Sequence, residues 1–398
     1  MADTLTVAAS QSIGPVATAA TAVAVAESFA PLVREHAAQA EAERRQLEGP
    51  ARALAAAGLH RVAVPSELGG LGADPITMMR AIEVIAEADG SAGWTLMIGI
   101  EVLGIMSTFL PEVAAELLAA QPDLICCGAL RPRGKAVPVE GGYVVSGQWP
   151  FASGVHNSDF FLGGCVVHDE VRVQPPRTRQ VLIPRRDYEI ADTWHVAGMR
   201  GTGSADVVVR DVFVPEARTT DVLSGAAAAF DHAITRMPIM ARLAFNKPPV
   251  ASGIARAALN DFVELANAKV PLGEERPLAE RPRAQRAIAE AEAALEAGRA
   301  YVDRVVRELW ERAEAGQPIE RGLHARVRLA CAHSVQASVQ AVDTVYGAAG
   351  ATVNYLASPL ERRFRDVHVV PMQITIAPHL IDAAGRVLLG LDPGTPTF

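Results

Sequence analysis

The spacing of apolar residues divides the chain into three stretches. From about Glu27 to Ala120 they recur at helical intervals. AEAERRQLEGPARALAAAGLH reads as a helix ending at Gly58, PSELGGLGADP as a loop, and Asp74-Pro75 as the start of a helix through ITMMRAIEVIAEA. GWTLMIGIEVLGIMSTFL is the most apolar run, but Glu101 and glycines interrupt it, so a buried helix is expected and not a membrane span. From about Asp123 to Val222 the pattern changes to short β-branched and aromatic runs divided by Gly, Pro and Asp, which is strand-and-turn chemistry. VEGGYVVSG reads as the second arm of a hairpin. After Ser224 long amphipathic helical patterns return and continue to the end, with Ala and Gly that permit close packing. The expected divisions are a loose lead-in over residues 1–26, a helical domain over 27–122, a β domain over 123–222 and a helical bundle over 223–398. This is an α+β chain with segregated elements. No GxGxxG follows a strand, which argues against a Rossmann nicotinamide site.

Composition narrows the function classes. At ~150 residues per domain, 398 residues make two or three domains. Half the residues are hydrophobic and 21% charged, ample for a core. The net charge of −8 argues against nucleic acid as a partner, because phosphate binding needs a basic face. The four cysteines, Cys126, Cys127, Cys165 and Cys331, form no CxxC pair and no zinc spacing, so no metal is expected and a reduced, cytoplasmic protein is. The first residues lack a basic n-region and do not read as a signal peptide.

Four stretches could carry chemistry. SGQWPFASGVHNSDF sets Trp149 and Phe151 beside hydroxyl groups, which suits a planar heterocycle or, equally, fills a β-domain core. HVAGMRGTGS carries Gly198, Gly201 and Gly203 with Arg200, Thr202 and Ser204, and is either a ligand loop or a simple tight turn. ALRPRGKA places Arg131, Arg133 and Lys135 in a loop, for an anion or for solvent. The tail RRFRDVHVVPMQITIAPHL concentrates polar groups: Arg365 and Asp366 are expected to pair with each other or with neighbours, His368 reads as a satisfied structural histidine, and Gln373 cannot act as a base because an amide does not titrate. No Ser-His-Asp, HExxH or P-loop arrangement stands out.

The words AGLHRVAVPSELGG, GSAGW, VSGQWPFASGVHNSDF, GMRGTGSADVVVRDVFVP and FRDVH fall in order over about Glu27 to Gly390. Together they resemble the oxygenase components of two-component, flavin-dependent monooxygenases of the acyl-CoA dehydrogenase fold, nearest to the polyketide-tailoring and phenol hydroxylases. The resemblance implies an N-terminal helical domain, a middle β-barrel or sandwich and a C-terminal four-helix bundle, assembled as a homotetramer or dimer. It implies reduced FMN or FAD supplied by a separate NAD(P)H:flavin reductase, dioxygen as co-substrate, a flavin C4a-hydroperoxide, and an aromatic or polyketide-like substrate.

By the same resemblance, Phe151 to Ser153 occupy the place of the dehydrogenases' WIT motif. Ser153 would donate near flavin N5, Trp149 and Phe151 would line the ring, and the backbone of Ala129 and Leu130 would meet its pyrimidine edge. Lys269, in KVPLG, stands where dehydrogenases use an Arg on the pyrophosphate. Trp149, His156, Arg200, Thr202 and Ile374 would line the substrate pocket. Ile374 falls on the position of the dehydrogenases' catalytic Glu, and an isoleucine takes no proton. In the hydroxylase pattern RDxHxxxxH the first His is His368 and the second falls on Gln373; both would face the reacting oxygen, yet glutamine cannot shuttle a proton as histidine does. Three explanations follow: a substrate needing no base, a substitute among His156, His195, His368 and His379, or a chain that is no competent hydroxylase. N-hydroxylation, an oxidase or acyl-CoA dehydrogenase-like step, and a non-catalytic paralogue binding a ligand or partner subunit are the alternatives.

Overall fold

The computed structural model describes residues 19–169, 176–222, 227–395 and 398. Residues 1–18 of the expected lead-in lie outside this set. The rest of it is already helical: α1 (Ala22–Glu43) begins before residue 26. The helix expected to run to Gly58 is two helices. Arg44 ends α1 in the left-handed conformation, and α2 (Glu48–Ala56) restarts with Pro50 in its first turn, where a missing N–H loses no helix bond.

Asp74 begins α3 (Pro75–Ala88) as expected, its carboxylate accepting from the backbone N–H groups of Ile76 and Thr77. Asp89 caps α4 (Gly90–Phe109) through Ala92 N. α5 (Pro111–Ala120) closes the first helical stretch. α4 is long and apolar enough to cross a membrane, but it is largely buried inside the protein. A helix apolar on all sides must be covered on all sides.

Among the described residues seven strands make one mixed sheet: β1 (Cys126–Val139), β2 (Gly142–Trp149), β3 (Phe160–Val167), β4 (Thr178–Pro184), β5 (Glu189–Ala191), β6 (Asp206–Pro215) and β7 (Thr219–Thr220), in the order β5-β6-β2-β1-β3-β4-β7. β1 and β2 are the anticipated hairpin, with Val139 opposite Gly142. β1 pairs parallel with β3. ALRPRGKA is not a loop: it lies within β1, across a register shift between Ala129 and Gly134.

The C-terminal half comprises α6 (Ala233–Arg236), α7 (Ile239–Phe245), α8 (Pro248–Ala268), α9 (Pro282–Glu314), α10 (Arg321–Ala349), α11 (Pro359–Val367) and α12 (His379–Leu388). α8, α9 and α10 pack on one another, and Gly298 of α9 lets Ser334 and Ala337 of α10 come close. The apolar core falls into a helical cluster, a β cluster and a third between α4, α5 and the sheet; Ile98 of α4 packs against all three.

Candidate active site

At the end of β2 the chain makes an unusual move. Phe151 takes φ 64, a left-handed conformation that disfavours a bulky residue, and its side chain stays 69% exposed. Ser153 N donates to Phe151 O (2.9 Å) and Ala152 N to Ala205 O (3.2 Å), turning Ser153 inward while the Phe151 ring points out. That ring stands edge-on to Trp194, centroids 6.0 Å apart. The result is an open aromatic wall with a buried hydroxyl beside it.

The Ser153 hydroxyl ends a chain of polar groups. Trp94 Nε1, in the second turn of α4, donates to Ser153 Oγ at 3.0 Å. Ser153 Oγ and Ser204 Oγ are 2.7 Å apart, as are Ser204 Oγ and Thr202 Oγ1. Thr202 Oγ1 donates to Met199 O (2.8 Å), which also accepts from Thr202 N (3.1 Å) and Trp194 Nε1 (3.2 Å). GMRGTGS is thus a tight turn with Met199 and Gly203 left-handed, and its hydroxyls point at Ser153.

The tail reaches this turn through residues other than those expected to react. Asp366 Oδ1 accepts from Met199 N (2.5 Å), and Arg365 donates to Ala197 O while holding Glu41 of α1 (2.9 Å) and Glu361 (2.7 Å). Of the two expected pairings, the two residues thus make the one with neighbours, and together they clasp the turn. Arg363 is buried, with its guanidinium facing Asp261 (3.5 Å). This clasp is why polar side chains concentrate in the tail.

Asp366 is buried and its acidity falls: burial first, then the neighbouring Asp89, push its pKa up from 3.8 to about 7. A folded-state pKa above the unfolded one means the protonated form is favoured on folding. The contribution to stability is full below about pH 4 and is lost as pH rises through 7. Asp366→Asn keeps an acceptor for Met199 N but has no charge to bury. Urea unfolding of this variant at pH 5 and pH 8 should lack the wild-type decline between the two.

Several residues expected at the site from sequence have their hydrogen bonds elsewhere. Trp149 is fully buried, edge-on to Phe161 (5.5 Å), with Nε1 on Gly164 O (2.6 Å), and a Cβ at Gly134 or Gly147 would collide with it. Thr202 is buried, with its hydroxyl 2.7 Å from Ser204 Oγ. His368 Nδ1 faces Phe364 O (2.7 Å) and Nε2 faces Asp343 (3.3 Å), the satisfied histidine of the plainer reading. Gln373 Oε1 turns back onto Thr375 N (2.6 Å) and Thr375 Oγ1 (2.5 Å), and Ile374 is exposed. Among the described residues, no hydrogen bond or ring contact links these three to Ser153 or Phe151. Lys269 caps α10, donating to Ala349 O (2.7 Å) and Thr352 Oγ1 (3.0 Å).

The other candidates are partly buried. His156 is half-buried against Gly203, and burial and then Arg45 lower its pKa from 6.5, so it is neutral at pH 7. Arg200 keeps a buried Nε without a hydrogen-bond partner, 4.0 Å from Glu41. Ala129 and Leu130 are half-buried at the β1 shift. Sequence reasoning missed Trp94, Trp194, Ser204 and Asp366 as parts of one assembly, although GSAGW and GMRGTGS carry two of them.

A separate buried polar group lies farther along α4. Glu101 accepts from Lys247 and from Asn246 Nδ2 (3.2 Å), beside a cavity of about 20 Å³ lined by Ile100, Ile239, Arg242 and Asn246. Burial raises the Glu101 pKa and lowers that of Lys247.

Residues 17–112 match the acyl-CoA dehydrogenase N-terminal domain family and residues 248–378 its C-terminal domain family. The chain is 32% identical to an indole-3-acetate monooxygenase of Pseudomonas putida, over 86% of each chain. It is 31% identical to the flavin-dependent monooxygenase oxygenase subunit HsaA of Mycobacterium tuberculosis, over 87% of this chain and 89% of that one. The crystal structure of a 3-HSA hydroxylase from Rhodococcus sp. RHA1 superposes with a TM-score of 0.87 at 28% identity, covering 95% of this chain and 98% of that one. With an exposed aromatic wall, a buried hydroxyl chain behind it and relatives of this kind along nearly its whole length, the chain belongs to the oxygenase components of flavin-dependent monooxygenases built on the acyl-CoA dehydrogenase fold.

Proposed function

We propose that this chain hydroxylates an aromatic small molecule, using dioxygen and reduced FMN or FAD delivered by a separate NAD(P)H:flavin reductase. The observation that carries this is Phe151: an aromatic ring held outward on a strained backbone, beside a buried hydroxyl, suits a flat heterocycle laid against it. Bound reduced flavin would supply the electrons that activate dioxygen. Phe151 and Trp194 would hold the ring, Ser153 would meet its N5, and the Ala129 and Leu130 backbone its pyrimidine edge. His156, three residues from Ser153 and neutral at pH 7, is the side chain we assign to accept a substrate proton in place of Gln373.

Indole-3-acetate, on which the Pseudomonas relative is named to act, makes a first trial substrate alongside simple phenols. The dehydrogenase reading has little support, because the exposed Ile374 cannot remove an α-proton. The four cysteines are free and buried, which fits the cytoplasm. Exposed Val270, Leu272, Tyr355, Leu356, Leu388 and Leu389 fit burial between subunits of a homotetramer or dimer.

The decisive test is anaerobic titration with reduced FMN and reduced FAD, followed by oxygenated buffer containing the trial substrates. Tight binding of one flavin and hydroxylated product in excess of hydrogen peroxide is the expected result. Absence of binding to either flavin would overturn the reading.

A further inference from the structure

The hydroxyl chain behind Ser153 has a direction. A hydroxyl has one proton to give and two lone pairs to receive with. Thr202 Oγ1 donates to Met199 O, a carbonyl that can only accept (2.8 Å). Its proton is therefore engaged, so at the 2.7 Å contact with Ser204 the donor must be Ser204. The proton of Ser204 is then also engaged, so at the 2.7 Å contact with Ser153 the donor must be Ser153. With all three protons pointing inward, Ser153 has no proton to offer a ligand. It has one lone pair, since the other receives Trp94 Nε1–H (3.0 Å).

The opposite direction is also available. Met199 O retains Thr202 N (3.1 Å) and Trp194 Nε1 (3.2 Å) as donors when the Thr202 hydroxyl turns away. Reversal then gives Thr202 to Ser204, Ser204 to Ser153, and Ser153 outward. One internal hydrogen bond is lost, and no buried carbonyl is orphaned. Asp366, holding Met199 N, and Trp194, holding Met199 O, fix the anchor of the chain. Because the chain ends at a carbonyl, it can reorient but cannot deliver a proton.

Resting on the reading that Ser153 meets flavin N5, we propose that Thr202 and Ser204 are positioning residues that make Ser153 select reduced over oxidised flavin. Reduced flavin carries a hydrogen on N5 and donates it to the free lone pair of Ser153, leaving the inward chain whole. Oxidised flavin has a bare N5 that needs a donor, available only after reversal and the loss of the Thr202–Met199 bond. The two forms differ by one net hydrogen bond, which corresponds to roughly two- to tenfold in affinity. A component that receives reduced flavin and must later release the oxidised form gains turnover from this bias.

Thr202→Val removes the inward terminus while keeping the shape of the side chain. Ser204 is then free to donate to Ser153, and both flavin forms find the same number of hydrogen bonds. Dissociation constants of reduced flavin (anaerobic) and oxidised flavin are measured for wild type, Thr202→Val, Thr202→Ser and Ser153→Ala, each first checked for folding by circular dichroism. The expected result is an oxidised-to-reduced ratio of constants that falls roughly two- to tenfold in Thr202→Val, chiefly by tighter binding of the oxidised form, and returns in Thr202→Ser. A purely structural role for Thr202 would weaken both forms alike and leave the ratio unchanged, which overturns the inference. Wild type binding neither form would overturn the flavin reading, and this inference with it.

Discussion

Replacing Lys247 with methionine is expected to destabilise the protein by roughly 3–5 kcal/mol, the range for removing one partner of a buried ion pair. Lys247 is buried almost completely and donates to Glu101, which sits mid-helix on the apolar α4. With the ammonium gone, Glu101 keeps only Asn246 Nδ2 as a close donor and must either protonate or bear an unbalanced charge. Its pKa is already raised by burial, so protonation takes over as pH falls. The loss in Lys247→Met should therefore be smaller at pH 5 than at pH 8. Removing the charge on both sides, in Glu101→Gln with Lys247→Met, should recover much of the loss. Urea unfolding of the two single variants and the double variant checks this. Equal stability of wild type and Lys247→Met at pH 8 would show that the pair carries no net weight.

The second large effect has opposite signs for stability and binding. Phe151→Gly should raise the stability of the flavin-free protein by about 1 kcal/mol, because glycine takes the left-handed conformation without the clash that Cβ imposes. Little packing is lost, since the ring is mostly exposed. The same change should weaken flavin binding by about 2 kcal/mol, roughly thirtyfold, through loss of about 80 Å² of apolar contact. Phe151→Ala should weaken binding to a similar degree while gaining no stability. Thermal melts without flavin, paired with flavin titrations, separate the two terms. A glycine variant that is less stable would mean the left-handed geometry is held by the ring contact with Trp194. One that binds flavin normally would remove Phe151 from the site.

The alternation of helical and strand periods announced the order of elements, because burial on one face imposes a period on the sequence. Helix interruptions were harder to see. The break at Arg44 is set by a left-handed backbone conformation that no proline or glycine marks, whereas the break at Asn246 is marked by Pro248 and Pro249 at the start of α8. At the site, local words identified Phe151 and Ser153. The partners of Ser153 come from α4 and from the turn after β5, 59 and 51 residues away, and no spacing rule links them. Trp149 and Phe151 show the limit plainly: two aromatics two residues apart, one at the centre of the β cluster and the other on the surface. A single left-handed residue between strand and turn separates their fates. The tail shows the same limit. A motif counted along the chain points to His368 and Gln373, while the contacts that tie α11 to the Met199 turn are made by Arg365 and Asp366, which no counted motif singles out.

The clasp also constrains the order of events during synthesis. Arg365 and Glu41 are 324 residues apart, and Asp366 and Met199 are 167 apart. A ribosome releases the strands, the three hydroxyls and Trp94 long before it releases α11. Until then the Met199 turn lacks its carboxylate anchor, and α1 lacks the arginine that ties it to the turn. Contacts of such separation close late. The nascent chain thus carries the Phe151 wall and the hydroxyl chain, held through Met199 O by Trp194, before the Asp366 anchor on Met199 N arrives with the last fraction of translation.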